Sequence, residues 1–156
     1  TNSGVTGVTG KIVQFKYNST TTNYNTTSST PQEIANLALS ITPTNSSNLI
    51  LAQTNLKAVS YHNTANSAKQ DFYISADGGS SYAERARSWS YRYDSGGIYL
   101  EQPIVVWYIA VAGSTSAKNF KVYHASGTGL QVDINYNSAG SELTDTSHLF
   151  LWEIEP

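Results

Sequence analysis

The stretch Ile104-Val-Val-Trp-Tyr-Ile-Ala-Val111 decides the class of this chain. It is apolar at every position and rich in β-branched and aromatic residues, and it is too short for a buried helix. Such a run reads as a strand covered on both of its faces. Trp107 and Ile109 on one face, against Val106 and Tyr108 on the other, need two covers. One is an opposing sheet, and a partner subunit is one solution for the second.

The pattern spreads outward from there in both directions. Gly113 to Ala117 turns the chain, Phe120 to Ala125 reads as the next strand, and Ser126-Gly-Thr-Gly129 turns it again. Leu130, Val132, Ile134 and Tyr136 alternate with Gln131, Asp133 and Asn135, the period of a half-buried strand. A loop from Asn137 to Thr146 leads to a strand from His148 to Glu155, with Phe150, Trp152 and Ile154 on one face. Upstream, Asp77-Gly-Gly-Ser80 is a hairpin turn, since glycine accepts the positive φ such turns demand. It joins a short strand, Asp71 to Ala76, to a partner running from Ser81 to about Tyr93, before the turn Asp94-Ser-Gly-Gly97. Leu49 to Tyr61 is long enough to take a bulge or bend near Asn55, and His62 to Lys69 reads as a polar loop. Lys11 to Tyr17 and Leu37 to Ile41 alternate as strands, and Asn18 to Pro31 reads as a long surface loop or edge strand. Thr42 to Asn48 is a turn cluster.

Eight or nine strands follow, with no amphipathic helix. The pattern predicts an all-β fold, a single antiparallel β-sandwich of the jelly-roll kind over residues 11–156, preceded by an extended N-terminal arm over residues 1–10. The aromatics are expected to alternate inward.

Composition narrows function. The 156 residues include only 13% charged ones, about half the usual fraction of roughly 25%. Ser, Thr and Asn fill the gap, while 11 Tyr, 3 Trp and 4 Phe supply a core. A net charge of −2 leaves no electrostatic footprint for nucleic acid, and no apolar run approaches the roughly 18 residues of a spanning helix. No cysteine means no disulfide and no thiolate chemistry. No catalytic motif is present: no G-x-S-x-G elbow, no phosphate-binding loop, no H-E-x-x-H. His62, His124 and His148 stand apart without metal-ligand spacing and read as loop or surface residues. Asp77 and Asp94 are explained by turn chemistry. No cofactor and no catalytic residue is expected.

One segment stands out. Arg85, Arg87, Trp89, Tyr91 and Tyr93 alternate onto one strand face, with Arg92 on the other and Tyr99 beyond the turn. Aromatic faces beside hydrogen-bonding side chains can hold a sugar ring, and Arg and aromatics are enriched at protein interfaces. The plainer alternative is a set of core aromatics with guanidinium groups lying over neighbouring rings.

Gly10-Lys-Ile-Val-Gln14, the Ser/Thr-rich stretch after it, Ser40-Ile-Thr-Pro-Thr-Asn-Ser-Ser-Asn-Leu-Ile-Leu51 and Leu149-Phe-Leu-Trp-Glu-Ile154 together resemble a group of small bacteriophage proteins. These are labelled tail-fibre-like or virion structural, and occur among phages of aquatic bacteria. The resemblance implies a non-enzymatic homotrimer on a virion surface, assembled in the host cytoplasm and attached to other capsid or tail proteins. It supplies no catalytic residues. Within that reading a capsid decoration (cement) protein competes with a fibre tip that binds a host-surface glycan. A carbohydrate-binding module and a small glycoside hydrolase, which needs two facing acids, are the readings from other classes.

Overall fold

The computed structural model describes residues 10–62, 66–76, 83–94, 98–129, 131–135 and 146–156; for the strand segments 58–62, 66–70, 75–76, 90–94 and 98–102 it describes the backbone path. Residues 1–9 of the expected arm, the hairpin turn at Asp77 and most of the loop after Asn137 lie outside the described residues. Ten strands run through them: β1 (Lys11–Thr20), β2 (Tyr24–Thr26), β3 (Gln32–Ile41), β4 (Leu49–His62), β5 (Asn66–Ala76), β6 (Glu84–Asp94), β7 (Ile98–Val111), β8 (Lys118–Ser126), β9 (Val132–Ile134) and β10 (Ser147–Glu155).

All pairings are antiparallel, and the strands form two packed layers, a β-sandwich. In the first sheet β1 lies beside β10, β10 beside β4, and β4 beside β7 on its far flank; the short β9 and β2 continue the sheet along the lower part of β4. The second sheet has the order β3-β8-β5-β6. Two readings of the sequence change here. Asn66 to Lys69, expected in a loop, extends β5, and β4 pairs with β7 from Leu49 to His62 without a register shift, so there is no bulge at Asn55.

Alternation along each strand sends one set of side chains between the sheets. Ile50, Ala52 and Leu56 of β4, Phe72 and Ile74 of β5, Ile104 and Val106 of β7, Phe120 and Val122 of β8, and Leu149 and Leu151 of β10 close into one core with Ile34, Leu37 and Ile41. Burying each of the larger ones is worth about 1.5–3 kcal/mol. The turn after β7 relies on Gly113, whose φ of 69° suits glycine, and its amide donates to Ser46 O at 2.8 Å.

The aromatics of β1 and β10 break the expectation of inward rings. On β1 the inward side chains are polar. Gln14 Nε2 donates to Thr42 O, Lys16 Nζ to Ser40 O, and Asn18 Nδ2 to Asn36 O and Ala38 O, all within 3.0 Å. These bonds satisfy carbonyls along the open edge of β3, which would otherwise offer a template for strand pairing. With the inner positions committed to that edge, Phe15 and Tyr17 face outward. On β10 the aliphatic Leu149 and Leu151 take the core, and Phe150, Trp152 and Ile154 are turned out.

Two buried polar nodes lock this corner. Glu153 is fully buried, and its Oε1 accepts from Thr44 N, Thr44 Oγ1 and Asn48 Nδ2, each at 2.7 Å, while Oε2 accepts from Gln14 Nε2 at 2.7 Å. Burial alone would raise its pKa, but these hydrogen bonds win and hold it below the usual carboxylate value. Asn135, in the left-handed region at φ 59°, donates to Thr20 O and Thr22 O and accepts from Ser147 Oγ, tying the β1–β2 connection to β9 and β10.

Candidate functional site

The outward face of the first sheet is built in rungs across four strands. Ile12, Ile154, Leu49 and Val111 align in one, Phe15, Trp152, Leu51 and Ile109 in the next, and Tyr17, Phe150, Gln53 and Trp107 in the third. A fourth holds Ser19, His148, Asn55 and Val105. No charged side chain occupies these rungs. Trp107 is 55% exposed, and Ile12, Phe15, Tyr17, Ile109 and Val111 are exposed to a similar degree. Among the described residues the run Ile104 to Val111 is therefore covered on one face only, with Ile104 and Val106 buried and Val105, Trp107, Ile109 and Val111 open. The opposing sheet supplies the first of the two covers that the sequence asks for, and among the described residues nothing supplies the second.

Half of this face is a continuous row of rings. Phe15 lies 5.4 Å from Trp152 and 6.2 Å from Phe150, Tyr17 stacks on Phe15 at 6.1 Å, and Phe150 sits 5.7 Å from Trp152. His148 extends the row, stacked on Phe150 at 5.4 Å. Ile12, Phe15, Gln53, Phe150 and Trp152 line a shallow depression along it. A bulge between Ile12 and Gln14 makes this possible, because it lets Gln14 turn inward to Glu153 while Ile12 and Phe15 both face out.

The stripe singled out in the sequence is divided by the fold. A register shift opposite Ile74 and Ser75 pairs them with Ala86 and Glu84, so Arg85 is an extra residue out of step with Arg87. Arg85 instead lines a cavity of about 340 Å³ between the layers, with Ile50, Tyr108 and Phe120 among its walls. Arg87 lies on the outer face of the second sheet. Its Nε and Nη2 donate to Asp71 Oδ1 at 3.0 and 2.5 Å, and its guanidinium carbon sits 5.3 Å above the Tyr73 ring. The bond to Asp71 raises the pKa of Arg87 further, and burial, then the nearby Asp71 charge, raise that of Tyr73. Trp89 is 60% exposed and pairs across from Asp71. Tyr91, Arg92 and Tyr93 follow on β6 opposite Lys69, Ala68 and Ser67, but their side chains lie outside the described residues. Tyr99 belongs to β7, opposite Tyr61, in the other sheet. The plain alternative thus describes Arg87, which covers a ring, but not Trp89, which stands on the outer face and not in the core.

Tyr73, Tyr123 and Ala125 form a small second core on this outer face. Glu33 and Lys121 pair at 2.8 Å beside Tyr123. Burial followed by Glu33 raises the Tyr123 pKa.

The histidines also differ from the sequence reading. His124 is buried between the sheets, where desolvation pushes its pKa down to about 4. Among the described residues its Nδ1 and the Oγ of Ser126 have no hydrogen-bond partner. His62 ends β4, and His148 is half-buried on β10. Among the described residues, no three His, Asp or Glu side chains come close enough to hold a metal.

Sequence reasoning reaches the apolar face of the first sheet at Trp107 and Ile109 and misses its aromatic half, since alternation leads one to expect Phe15, Tyr17, Phe150 and Trp152 to point inward. Its residues were visible as apolar positions, and the signal available was a surplus: β7 and β10 are apolar on more faces than one core can cover. A scan against protein-family models matched none, and a search of curated proteins returned no match.

Proposed function

We propose that this chain is a structural component of a bacteriophage virion surface, attached to the capsid or tail, that acts by docking and assembly rather than by catalysis. The observation that carries the assembly half is the uncharged apolar face of β1, β10, β4 and β7, a surface whose exposure in water is costly unless something covers it. The virion setting rests on the resemblance of the Gly10–Gln14, Ser40–Leu51 and Leu149–Ile154 segments. Within that setting the assembled form is a homotrimer.

The jelly-roll arrangement is part of the proposal. Setting aside the three-residue β2 and β9, the first long strand pairs with the last (β1 with β10), the second with the seventh (β3 with β8), the third with the sixth (β4 with β7) and the fourth with the fifth (β5 with β6). One long hairpin rolled into two sheets has that pairing, which supports the assignment.

The deciding experiment is location. Labelled antibody imaged on purified particles is expected to decorate the capsid or tail; particles lacking the chain would sink the virion reading. A second reading has its own observation. The depression lined by Phe15, Phe150, Trp152 and Gln53 sets flat rings beside an amide, which suits the apolar face of a sugar. Under that reading a glycan array gives a ligand that is lost in Trp152→Ala.

A further inference from the structure

The assembly reading leaves open what covers the apolar face. We propose that the occupant is a second copy of this chain, so that the outer face of β1, β10, β4 and β7 is the self-association surface of a closed homo-oligomer. The inference rests on the assembly reading just given, and it names the partner.

Three observations point to a like partner. The first is size. The exposed fractions of Ile12, Phe15, Tyr17, Trp107, Ile109 and Val111, applied to side chains of this bulk, put the open apolar area on the order of 800 Å², the share one partner contributes to a standard stable interface. The second is the absence of charge on the rungs. Complexes between unlike proteins are steered and specified by complementary charge, whereas interfaces between identical subunits run more apolar. The third is Gln53. It is the one amide on the third rung, paired across the ladder with Phe150 and Trp107. A primary amide is both donor and acceptor, so identical copies meeting near an axis satisfy each other, while an unlike partner would need a matched polar group.

The face also has two textures suited to closure. Rings dominate on β1 and β10, and aliphatic side chains around Trp107 dominate on β7. A three-fold ring sets the aromatic half of one copy against the aliphatic half of the next.

Sedimentation of the full chain at micromolar concentration tests this. The expected result is a mass of two or more copies that persists in 1 M NaCl, because no ion pair holds the face together. Phe15→Glu and Trp107→Glu alter exposed positions on the two halves, and each should weaken association at least 100-fold. Trp89→Glu, an equally exposed tryptophan on the opposite sheet, should leave the mass unchanged. Circular dichroism verifies that each variant is folded. A wild-type monomer at 100 µM overturns the proposal, as does an oligomer that folded Phe15→Glu and Trp107→Glu leave intact. Failure here is separable from failure of the virion reading: a monomer that still decorates particles removes the self-association, and the trimer with it, but leaves the virion setting, whereas an oligomer absent from particles removes only the virion.

Discussion

The two sheets of this sandwich carry aromatic side chains on their outer faces, yet they treat them in opposite ways. On the second sheet Tyr73 and Tyr123 are nearly buried, at 6% and 7% exposure, beneath Arg87 with Asp71 and beside Lys121 with Glu33. The Arg87 guanidinium lies over the Tyr73 ring while staying partly in water, and the Glu33–Lys121 pair stands beside Tyr123. On the first sheet Phe15, Tyr17 and Trp107 have no such roof among the described residues. The difference teaches that an outer aromatic is not by itself a sign of a binding surface. What marks one is whether the same strand and its neighbours supply the charged stems that would cover it, and here few of the 13% charged residues fall on the rungs of the first sheet.

The largest effect that could break this contrast comes from placing a charge at the centre of the open face. Gln53→Glu is isosteric and should fold. If copies meet there, sedimentation will show association weakened by about 100-fold at pH 7, because like carboxylates are brought together out of water. Unchanged association would remove Gln53 from the interface.

Similar in size is the response of the interior that both faces share. The folded pKa of His124, about 4, lies below its unfolded value of 6.5, so the unfolded chain binds the proton first as pH falls. Stability is complete above pH 6.5 and falls between 6.5 and 4, by about 3 kcal/mol in all. Glu153 adds a lower window. Its folded pKa is depressed, so the stability it contributes is present above the ordinary glutamate value of 4.5 and is lost as pH falls below it. Urea unfolding at a series of pH values measures both, and His124→Leu should flatten the upper window alone. A folded monomeric Trp107→Glu should show the same upper window; a shifted one would tie His124 to assembly.

A smaller effect is expected from opening the roof of the second sheet. Arg87→Ala removes the bonds to Asp71 and the guanidinium over Tyr73, at a cost of about 1–2 kcal/mol once its partial exposure is discounted. Arg87→Lys should recover only part of this, since the fork to Asp71 is lost. Lys121→Ala is expected to move the unfolding midpoint barely beyond measurement error, because its pair with Glu33 is solvent-screened. If Lys121→Ala cost as much as Arg87→Ala, covering of rings would not explain the contrast.

The sequence made the strands legible, but not which way several of them face. Alternation on β1 and β10 is unmistakable, and yet both are inverted relative to the simplest reading. On β1 the reason is the need of the β3 carbonyls for donors, supplied by Gln14, Lys16 and Asn18 from a strand distant in sequence. On β10 Leu149 and Leu151 alternate with Phe150, Trp152 and Ile154, so large apolar residues stand on both faces and the period does not say which is inner. The β6 stripe was legible as a stripe, while the bulge that removes Arg85 from it was not, since nothing local in Glu84-Arg-Ala86 announces an extra residue. His124 was misjudged because it was read as an isolated polar residue, although it sits between core partners on the inner face of β8. The surplus of apolar faces on β7 was legible, and it pointed to the open surface through Trp107 and Ile109.

The pairing of Lys11 with Glu155 on the terminal rung of β1 and β10 has a mechanical consequence. The chain enters and leaves the sandwich at one corner. A pull applied to both ends acts across the ladder and parts it rung by rung, starting at that corner, where each break releases little length against little force. A tether at one end alone leaves the neighbouring strand unloaded. The side on which the chain is fastened therefore sets how much force the domain bears before β1 peels from β10.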